Sequence, residues 1–439
     1  MICFGLDVSK GYANIGIINE QGIQLKETFL IDDTKEGHEA FKESIKWAVK
    51  LNGDGVIKIG MESSGGYELN FLNLCFNMQD EYTLLVYRLN PLSVKKFIET
   101  DLHRAKNDDT NAIDIARYIL KKDIMPTQKI GKEIQGLKDV VKAIERDVKE
   151  STKLRNIVQM YIQEYFPELL KYCGYGINDW VLKLLSKYPT AFDIKLINTK
   201  DLMEIPYLKE LKAKDIIELA NKSIAAEAGF LTKISIKQTC KRILQIDESA
   251  SEMKREMINI NKKLSFNRLS TIYGIGDYTA GVITAFTGNI DNFSDFKKYT
   301  AFFGLDPRAN DSGDEIKKRR ITKKGNHIVR KVLYTSVLTC ISKEGHPVKK
   351  MYDRLINRGV PHYSAATACM KKLLSIVFGI LKSGKDFDIN YEDSKKTEEQ
   401  STKSLGQKNL RLKKCESLNL DAPISIKERK RRIKIAAMS

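Results

Sequence analysis

The first 31 residues constrain the fold most, because they form three strand-like segments joined by very short turns. The segments are ICFGLDVS (2–9), ANIGIINE (13–20) and IQLKETFLI (23–31), and all three are rich in β-forming residues. The turns between them, at Lys10–Gly11 and Gln21–Gly22, both contain glycine. Connections this short join antiparallel neighbours, so the pattern predicts an antiparallel meander.

Helices and strands alternate after the meander. A helical pattern covers 35–51, the strand VIKIGMES follows at 56–63, a helix follows Gly65–Gly66, the strand YTLLVYRLN follows at 82–90, and Pro91 opens another helix. Proline suits the first helical turn because its missing N–H has no intrahelical partner there. Three hairpin strands followed by alternating helices and strands are typical of an α/β, RNase H-like domain.

The middle of the chain carries an apolar repeat typical of a coiled coil. One heptad position holds Leu137, Ile144, Val158 and Tyr165, and another holds Val141, Val148 and Ile162. A second series, spaced alternately by three and four, is Ile243, Ile246, Ala250, Met253, Met257, Ile260 and Leu264. Two such helices around a helical insert predict an antiparallel coiled-coil arm. An internal helical hairpin and an arm that pairs with a second chain are both compatible with the repeat.

The C-terminal part is predicted to be all-α up to about residue 382. Within it, YGIGDYTAGVITAF (273–286) fits a helix-hairpin-helix element, in which the turn at Gly274 and Gly276 lets backbone N–H groups approach phosphate. Residues 391–439 are polar and end in the basic run KERKRRIK, which predicts a disordered tail. The predicted domains are 1–125 (α/β), 126–265 (coiled-coil helices), 266–385 (helical) and 386–439 (basic tail).

Composition indicates a polyanionic partner in a reducing compartment. The net charge is +18 and the pI is about 9.3, which favours salt-dependent binding to phosphates. The seven cysteines show no CxxC spacing, which argues against a zinc site and a disulfide framework and fits the cytoplasm. No apolar run reaches transmembrane length and no signal pattern opens the chain, so no membrane is expected.

Three acids and one amide form a candidate metal site. Asp7 lies in the first strand between two apolar residues, where a charge is costly unless it is compensated. Glu62 ends the fourth strand, which in an RNase H-like sheet lies beside the first. Asp108 begins the last helix of the domain, and Asn111 lies on the same helix face. Such oxygen ligands can hold one or two Mg²⁺ ions, although Asp108 also suits a helix N-cap.

A serine in a glycine-rich loop is a second candidate. Ser312 lies between Gly304 and a basic run, Lys317, Lys318, Arg319 and Arg320, that can neutralise phosphate. Serine also needs a base or a metal to take its proton. The one nearby histidine, His327, fits a surface or phosphate-facing helix start. From the residues alone, Ser312 fits a turn serine better than a nucleophile.

The sequence segments around both candidate sites resemble those of one protein family. GLDVSK, MESSGGYE, LNPLSVKKF and RAKNDDTNAIDIARY resemble the signature blocks of the RuvC-like DEDD domain of insertion-sequence-110 transposases, which are related to Piv-type invertases. The usual helix motif Lys-Thr-Asp-x-x-Asp-Ala falls on residues 106–112, so Asn111 stands where the fourth acid is usual. The segment FFGLDPRANDSGDEIKKRRITKKGNHIVRKVLY (302–334) resembles the C-terminal transposase domain of the same family, and Ser312 matches its nucleophile.

The resemblance implies a DNA transposase or site-specific recombinase. It implies Mg²⁺ (or Mn²⁺) at Asp7, Glu62 and Asp108, with Asn111 as a weaker fourth ligand that Asp109 or, less well, Asp114 can replace. It implies double-stranded DNA and a structured non-coding bridge RNA as partners, a homodimer assembling to a homotetramer, and a nucleoid-associated place in the bacterial cytoplasm. Residues expected to contact nucleic acid are Lys10, Lys106, Gly274, Gly276, Lys317, Lys318, Arg319, Arg320, Lys323, Lys324 and Arg330.

Two other functions remain open at this stage. One is a RuvC-like metal-dependent nuclease or junction resolvase, in which Ser312 is only a turn residue. The other is a catalytically impaired relative that binds nucleic acid, which the uncharged Asn111 would suit.

Overall fold

A computed structural model describes most of the 439 residues. The described residues are 1–53, 55–100, 108–174, 176–263, 266–306, 311–312, 315–316, 321–322 and 325–389. They form two compact units, residues 1–131 and residues 132 onward. The finer division into four parts stays a prediction, and the predicted basic tail lies outside the described residues.

The first unit is the predicted α/β domain. Its elements are β1 (Ile2–Ser9), β2 (Tyr12–Asn19), β3 (Gln24–Asp32), α1 (Lys35–Asn52), β4 (Ile57–Glu62), α2 (Leu69–Met78), β5 (Leu84–Leu89), α3 (Pro91–Thr100) and α4 (Asp108–Lys121). The five strands are ordered β3-β2-β1-β4-β5. The meander β1–β3 is antiparallel, whereas β4 runs parallel to β1 and to β5. The predicted adjacency of the first and fourth strands is therefore confirmed, and the arrangement fits an RNase H-like fold.

The two faces of the sheet are covered differently. Phe4 and Ile15 point to the face on which Phe41 of α1 and Phe71 of α2 pack. The opposite face carries α4, which packs against β1, β2 and β4. Alternation along a strand puts Gly5 and Asp7 on this second face, since Phe4 points to the first. The residues of the candidate metal site therefore lie on the α4 side.

A row of three glycines lets α4 approach the sheet closely. Gly5 of β1 pairs with Gly16 of β2 and with Gly60 of β4. A Cβ atom at Gly5 would lie 1.9 Å from the carbonyl oxygen of Ala112, and one at Gly16 would lie 2.9 Å from the backbone nitrogen of Ile113. The backbone of α4 therefore rests directly on the strands. This contact fixes where the first turn of α4 meets β1 and β4.

The second unit is mostly helical. Its elements in chain order are α5 (Lys132–Tyr165), α6 (Asp179–Lys187), α7 (Ala191–Lys195), α8 (Thr199–Met203), α9 (Glu210–Asn221), α10 (Phe230–Lys263), α11 (Asp277–Thr287), α12 (Phe296–Phe302), β6 (Asp311–Ser312), β7 (Glu315–Ile316), α13 (His327–Cys340), α14 (Pro347–Ile356) and α15 (His362–Ser383). Short 3-10 helices lie at Pro167–Tyr172, Phe266–Thr271 and Ile290–Asn292. The all-α prediction needs one correction, because β6 and β7 form a small hairpin.

The two 34-residue helices α5 and α10 pack against each other within the chain. Tyr161 hydrogen-bonds Ser235 over 3.0 Å, and Arg242 donates to Glu150, so the helices run antiparallel. One end of the pair packs into the helical insert, α6–α9, and the other end packs into the core formed with α11, α13 and α15. The packing matches the internal hairpin that the repeat allowed. A supercoiled arm that pairs with a second chain stays a prediction.

Helix α15 corrects the expectation that no segment is apolar enough to span a membrane. By length and composition it is the one helix in the described part of the chain that qualifies. Its apolar side chains, including Leu373, Leu374 and Val377, are buried in the core of the second unit. A helix in the core of a folded unit has the same length and composition, so α15 is weak evidence for a membrane span.

The glycine row predicts a graded series of substitutions. Gly5→Ala should lower the free energy of unfolding by about 3 kcal/mol, because its new methyl group meets backbone that cannot move independently. Gly60→Ala should cost less, since the nearest atom is a side-chain methyl of Ile119 at 2.8 Å. Denaturant unfolding measures both values.

Gly136→Ala is the control for this series. Position 136 lies in α5, and no atom lies within 4 Å of the new methyl group. Alanine favours helix over glycine by about 1 kcal/mol, so this variant should be neutral or slightly more stable. Equal destabilisation by Gly5→Ala and Gly60→Ala would contradict the direct backbone contact.

Candidate metal site and serine hairpin

Asp7, Glu62 and Asn111 come together at one edge of the sheet. Asp7 is two residues beyond Gly5 and Glu62 is two residues beyond Gly60, so both side chains lie on the face covered by α4. The side-chain amide of Asn111 donates to the Oδ2 atom of Asp7 over 3.2 Å. All three residues are partly buried. Two strands and one helix thus bring two carboxylates and one side-chain amide to the same edge of the sheet.

The electrostatics of this cluster disfavour two bare carboxylates. The pKa of Glu62 is raised, first by burial and second by the negative charge of Asp7. Both effects penalise the ionised form of Glu62 when no cation is near. A cation placed between the two carboxylates would remove both penalties, so the site has the electrostatics of a cation-binding site.

Asp108 is the first residue of α4, one helical turn before Asn111. The side chains of Asp108, Asp109 and Thr110 lie outside the described residues, as does Lys106. Among the residues described, no group of three His, Cys, Asp or Glu side chains is arranged to hold a metal. The metal-ligand groups among the described residues are two carboxylates and the neighbouring side-chain amides. A full set of metal ligands therefore also needs the carboxylate of Asp108. Its role stays a prediction.

Asn14 is a polar neighbour that the sequence reasoning missed. It pairs with Asp7 in the β1–β2 ladder and is 9% exposed. Because it lies two residues before Gly16, it points to the same face as Asp7 and Glu62. The signal was an asparagine inside the otherwise apolar strand ANIGIINE, directly across from Asp7. Its carbonyl oxygen adds one more donor at this edge.

Asp114 is engaged elsewhere. Its side chain is buried, and its Oδ1 atom accepts a hydrogen bond from Arg117 over 3.2 Å. Asp114 therefore has a partner on its own helix, which agrees with the expectation that it is a poor substitute for a fourth acid.

A buried ion pair supports the loop that follows Glu62. The Glu68 carboxylate is fully buried and accepts hydrogen bonds from the backbone N–H groups of Ser64 (3.1 Å) and Gly66 (2.9 Å). Arg88 of β5 donates to the same carboxylate through Nε over 2.8 Å and also through Nη2. Burial opposes ionisation of Glu68, but these hydrogen bonds and the Arg88 charge outweigh it and lower its pKa. Glu68 thus holds the turn that orients the end of β4.

Ser312 lies at the end of a strand in a short hairpin. It is the last residue of β6 and pairs with Glu315, the first residue of β7. At the base of the hairpin loop, Thr322 donates to Asp306 through its backbone N–H (3.0 Å) and through Oγ1 (2.6 Å). These two bonds join the ends of the loop. The side chain of Ser312 lies outside the described residues, as do the predicted nucleic-acid contacts Lys317, Lys318, Arg319, Arg320, Lys323 and Lys324.

The segment after the hairpin is built for close packing. A Cβ atom at Gly325 would lie 2.3 Å from the carbonyl oxygen of Phe302, so only glycine fits there. Asn326 caps α13 by accepting from the N–H of Ile328 over 2.8 Å. Arg330 donates to the carbonyl oxygens of Phe303 (3.0 Å) and Gly325 (2.7 Å), and burial lowers its pKa. Arg330 therefore joins backbone segments at the base of the hairpin, and its contact with nucleic acid stays a prediction.

The predicted glycine turn precedes α11. Gly274 has φ +92°, and a Cβ atom there would lie 2.6 Å from the Sγ atom of Cys340, so this glycine packs against α13. Gly276 is the N-cap residue of α11 and has open space around it. Only Gly276 is thus placed where a ligand can approach, and the helix-hairpin-helix assignment stays a prediction. Lys10 is exposed in the β1–β2 turn.

Comparison with known proteins assigns the chain to a family. A family profile described as transposase of the IS116/IS110/IS902 family matches residues 266–353. A second profile, for the DEDD-type transposase domain of IS110, matches residues 4–167. The two matches are separate and together cover more than half of the chain. The chain belongs to the IS110 family of transposases.

Similar curated proteins come from three bacteria. The pilin gene-inverting protein of Moraxella lacunata is 26% identical over 136 residues, which are 30% of this chain and 42% of that protein. Its counterpart in Moraxella bovis is 25% identical over 36% of this chain and 48% of its own length. The transposase for insertion sequence element IS1111A of Coxiella burnetii is 24% identical over 56% of each chain. The chain thus spans about half the length of the curated relatives it matches.

Both candidate sites of this IS110-family chain lie inside matched regions. The DEDD profile spans Asp7, Glu62, Asp108 and Asn111, and the second profile spans Ser312. The insert α6–α9 and helix α10 lie between the two matches, and helix α15 lies after the second match. The family profiles therefore give no information on these elements.

The ion pair of Glu68 gives a test of how the acidic edge is supported. Glu68→Gln should lower the free energy of unfolding by about 2 kcal/mol at neutral pH, because the charge-assisted bonds to Arg88 are lost. The pKa of Glu68 is lowered in the folded state, so its contribution is present above the unfolded pKa and disappears as the pH falls through the folded pKa. The difference between wild type and variant should therefore narrow in acid. Denaturant unfolding at neutral and acidic pH measures it.

Glu39→Gln is the matched control. The Glu39 side chain is 57% exposed and pairs with Lys42 on the surface of α1, so its removal should change stability little. If both variants lose the same stability, Glu68 has no special supporting role.

Proposed function

We propose that this chain is a DNA transposase and site-specific recombinase that cuts and rejoins DNA through a covalent phosphoserine formed at Ser312. The observation that carries the proposal is the meeting of Asp7, Glu62 and Asn111 at one sheet edge in a chain that matches both family profiles. A metal-binding edge and a serine hairpin on one chain favour recombination over simple hydrolysis, because a covalent link conserves the phosphodiester for rejoining.

The residues at the acidic edge fit a divalent cation. Asp7, Glu62 and Asp108 would hold Mg²⁺ or Mn²⁺ through carboxylate oxygens, and hard cations prefer such ligands. When bound, the ion supplies charge neutralisation at the scissile phosphate. The raised pKa of Glu62 supports the fit, because a carboxylate repelled by Asp7 gains most from a cation. Asn111 takes part by turning its amide, since the nitrogen now faces Asp7 and the oxygen is the ligand atom.

Ser312 performs the group transfer in this proposal. Its Oγ atom gives up its proton and attacks the scissile phosphorus, the phosphorus–oxygen bond to the leaving deoxyribose breaks, and the leaving oxygen takes up one proton, so that the protons balance. The reverse attack by a deoxyribose hydroxyl on the phosphoserine releases Ser312 and restores a phosphodiester. The number of phosphoester bonds is conserved, so no nucleotide cofactor is required.

The partners follow from charge and from the family. Double-stranded DNA of the element ends and target is the substrate, and the net charge of +18 suits it. A structured non-coding RNA is proposed as the guide on the family resemblance alone. We also propose a homodimer that assembles to a homotetramer, with the acidic unit of one chain completing the serine site of another.

Ser312→Ala tests the covalent step. Wild-type chain incubated with Mg²⁺ and DNA carrying a nick near the element end should give a protein–DNA adduct that survives denaturation, and the variant should give none. Alanine removes the attacking oxygen and leaves the backbone of the hairpin unchanged. Denaturing gel electrophoresis of labelled DNA detects the adduct.

Ser342→Ala is the control, because Ser342 is exposed after the end of α13 and bonds only locally, to the carbonyl oxygen of Thr339 over 2.7 Å. It should form the adduct like the wild type. Mg²⁺-dependent DNA cleavage that persists in Ser312→Ala would identify a metal nuclease or junction resolvase instead. Salt-sensitive DNA binding with no strand breakage would identify an impaired binding relative.

Asn111→Asp tests the metal site independently of catalysis. Without metal, the variant should be less stable than wild type, because a third carboxylate replaces the donor to Asp7. With saturating Mg²⁺, it should gain more thermal stability than wild type, because binding to the folded state adds stability. Thermal unfolding with and without Mg²⁺ measures both effects.

Asn70→Asp serves as the control for an added carboxylate in the same unit. Asn70 is exposed and donates to Asp33 over 2.7 Å, away from the acidic edge. It should lose stability without gaining a Mg²⁺ response. If Asn111→Asp also gains no Mg²⁺ response, the acidic edge does not bind the ion through residue 111.

A further inference from the structure

Helix α5 carries a row of cations along one face. Lys142, Arg146, Lys149 and Lys153 follow one another at spacings of four, three and four residues, and all four are exposed. The row spans eleven residues, or about 16 Å of helix. Phosphates of one nucleic-acid strand follow each other at about 3.4 Å along a duplex axis, so the row matches four to five phosphates.

These cations line a groove between α5 and the start of α13. The groove has a volume of about 700 Å³, and His327 and Ile328 form its opposite wall. Lys149 Nζ lies 3.4 Å from His327 Nε2 across it. Lys331 of α13 pairs with the buried Glu145 of α5 over 3.0 Å, which fixes the two walls relative to each other.

The acids in the groove do not neutralise the row. Glu145 is held by Lys331, and Glu150 is held by Arg242 of α10. The ion pairs of the row itself are long: Lys142 to Asp139 is 3.8 Å, Arg146 to Asp147 is 3.7 Å, and Lys149 to Glu145 is 4.0 Å. Pairs of this length are weak and the cation of each is exposed, so a phosphate can displace the acid from the cation.

The N-terminus of α13 adds to the positive potential. Its first N–H groups are already taken by the Asn326 side chain, so the helix contributes its dipole and not free donors. Asn326 and His327 directly follow the segment that closes the Ser312 hairpin. The groove is thus connected through four residues of chain to Thr322, which closes the loop that carries the proposed nucleophile.

We infer that this α5–α13 groove binds the phosphodiester backbone of one DNA strand and leads it to the Ser312 hairpin. The inference rests on the proposed function for the direction of the strand, whereas the charge of the groove stands by itself. A solvated charged helix face is the ordinary alternative. The groove differs from such a face in having a second wall with a histidine and a helix N-terminus.

A fourfold substitution of Lys142, Arg146, Lys149 and Lys153 to Gln tests the groove. Affinity for a labelled element-end duplex and for a labelled structured RNA is measured between about 50 and 200 mM salt. Each phosphate contact contributes about 0.7 to 0.9 to the magnitude of the slope of log affinity against log salt concentration. Removal of four contacts should therefore reduce the magnitude of the slope by about 3. Loss of slope with the duplex supports the inference, and loss with the RNA alone overturns it and identifies RNA as the occupant of the groove.

The matched control replaces Lys200, Lys209, Lys214 and Lys222 by Gln, four exposed lysines of the helical insert. It removes the same charge of four from the chain and should leave the slope within about 1 of wild type. Equal slope losses in both variants, or no loss in the groove variant, would overturn the inference. If the fourfold variant unfolds, the double variant Lys149→Gln/Lys153→Gln takes its place in the test. The salt slope of the double variant should fall by about half as much.

The outcome separates this groove from the proposed recombinase activity. If wild type forms no phosphoserine adduct but the groove variant still loses slope, the activity fails and the groove stands. If the adduct forms and the slopes of both variants match the wild type, the groove fails and the activity stands.

Discussion

The contact between α4 and the glycine row determines the geometry of the acidic edge. A helix normally lies at a distance from a sheet that leaves room for side chains between them. Here Gly5, Gly16 and Gly60 remove that layer, and the backbone of α4 touches the strands. Aspartate and asparagine are short side chains, and only this close approach lets Asn111 reach Asp7. The geometry of the site therefore depends on the three glycines, which have no side chain to hold α4 away from the sheet.

The same closeness has an electrostatic cost. Burial, and second the charge of Asp7, raise the pKa of Glu62, so the ionised carboxylate of Glu62 is disfavoured when no cation is bound. Asn111 relieves part of this cost, since it donates to Asp7 where an aspartate would repel it. Under the proposed function, asparagine at this position would lower metal affinity and stabilise the metal-free fold, a trade between function and stability.

Much of the first unit was predictable because its signals are local. Alternation and glycine turns gave β1, β2 and β3 within a residue or two, and the adjacency of β1 and β4 brought Asp7 and Glu62 together as expected. Asn14 and the glycine row were missed, because both depend on the register between strands, which no single segment contains. Glu68 was missed for a similar reason: its partner Arg88 is twenty residues away on β5.

The second unit was less predictable where its strands are short and where residues of a motif make structural contacts. Strands of two residues, such as β6 and β7, leave no periodic pattern, so the hairpin at Ser312 could not be found. Arg330 was predicted to contact nucleic acid from its charge, but two backbone carbonyls occupy its guanidinium. Gly325 also has a structural role, because it packs against the backbone of Phe302. The motif residues near Ser312 thus include several whose described contacts are structural.

Helix α5 divides its surface between two kinds of partner. Val141, Ile144 and Val148 contribute to the core of the second unit, and Lys142, Arg146 and Lys149 each lie one or two residues beyond such a position. At the end of α5 nearest α13, one side of the helix is therefore buried in the core and the adjacent side carries the exposed cations. Toward its other end, Met160 of α5 is an exposed apolar residue, and so are Leu231 and Ile234 near the start of α10. A second chain, as the proposed dimer requires, has apolar surface available at that end, whereas the end with the cation row favours a polyanion.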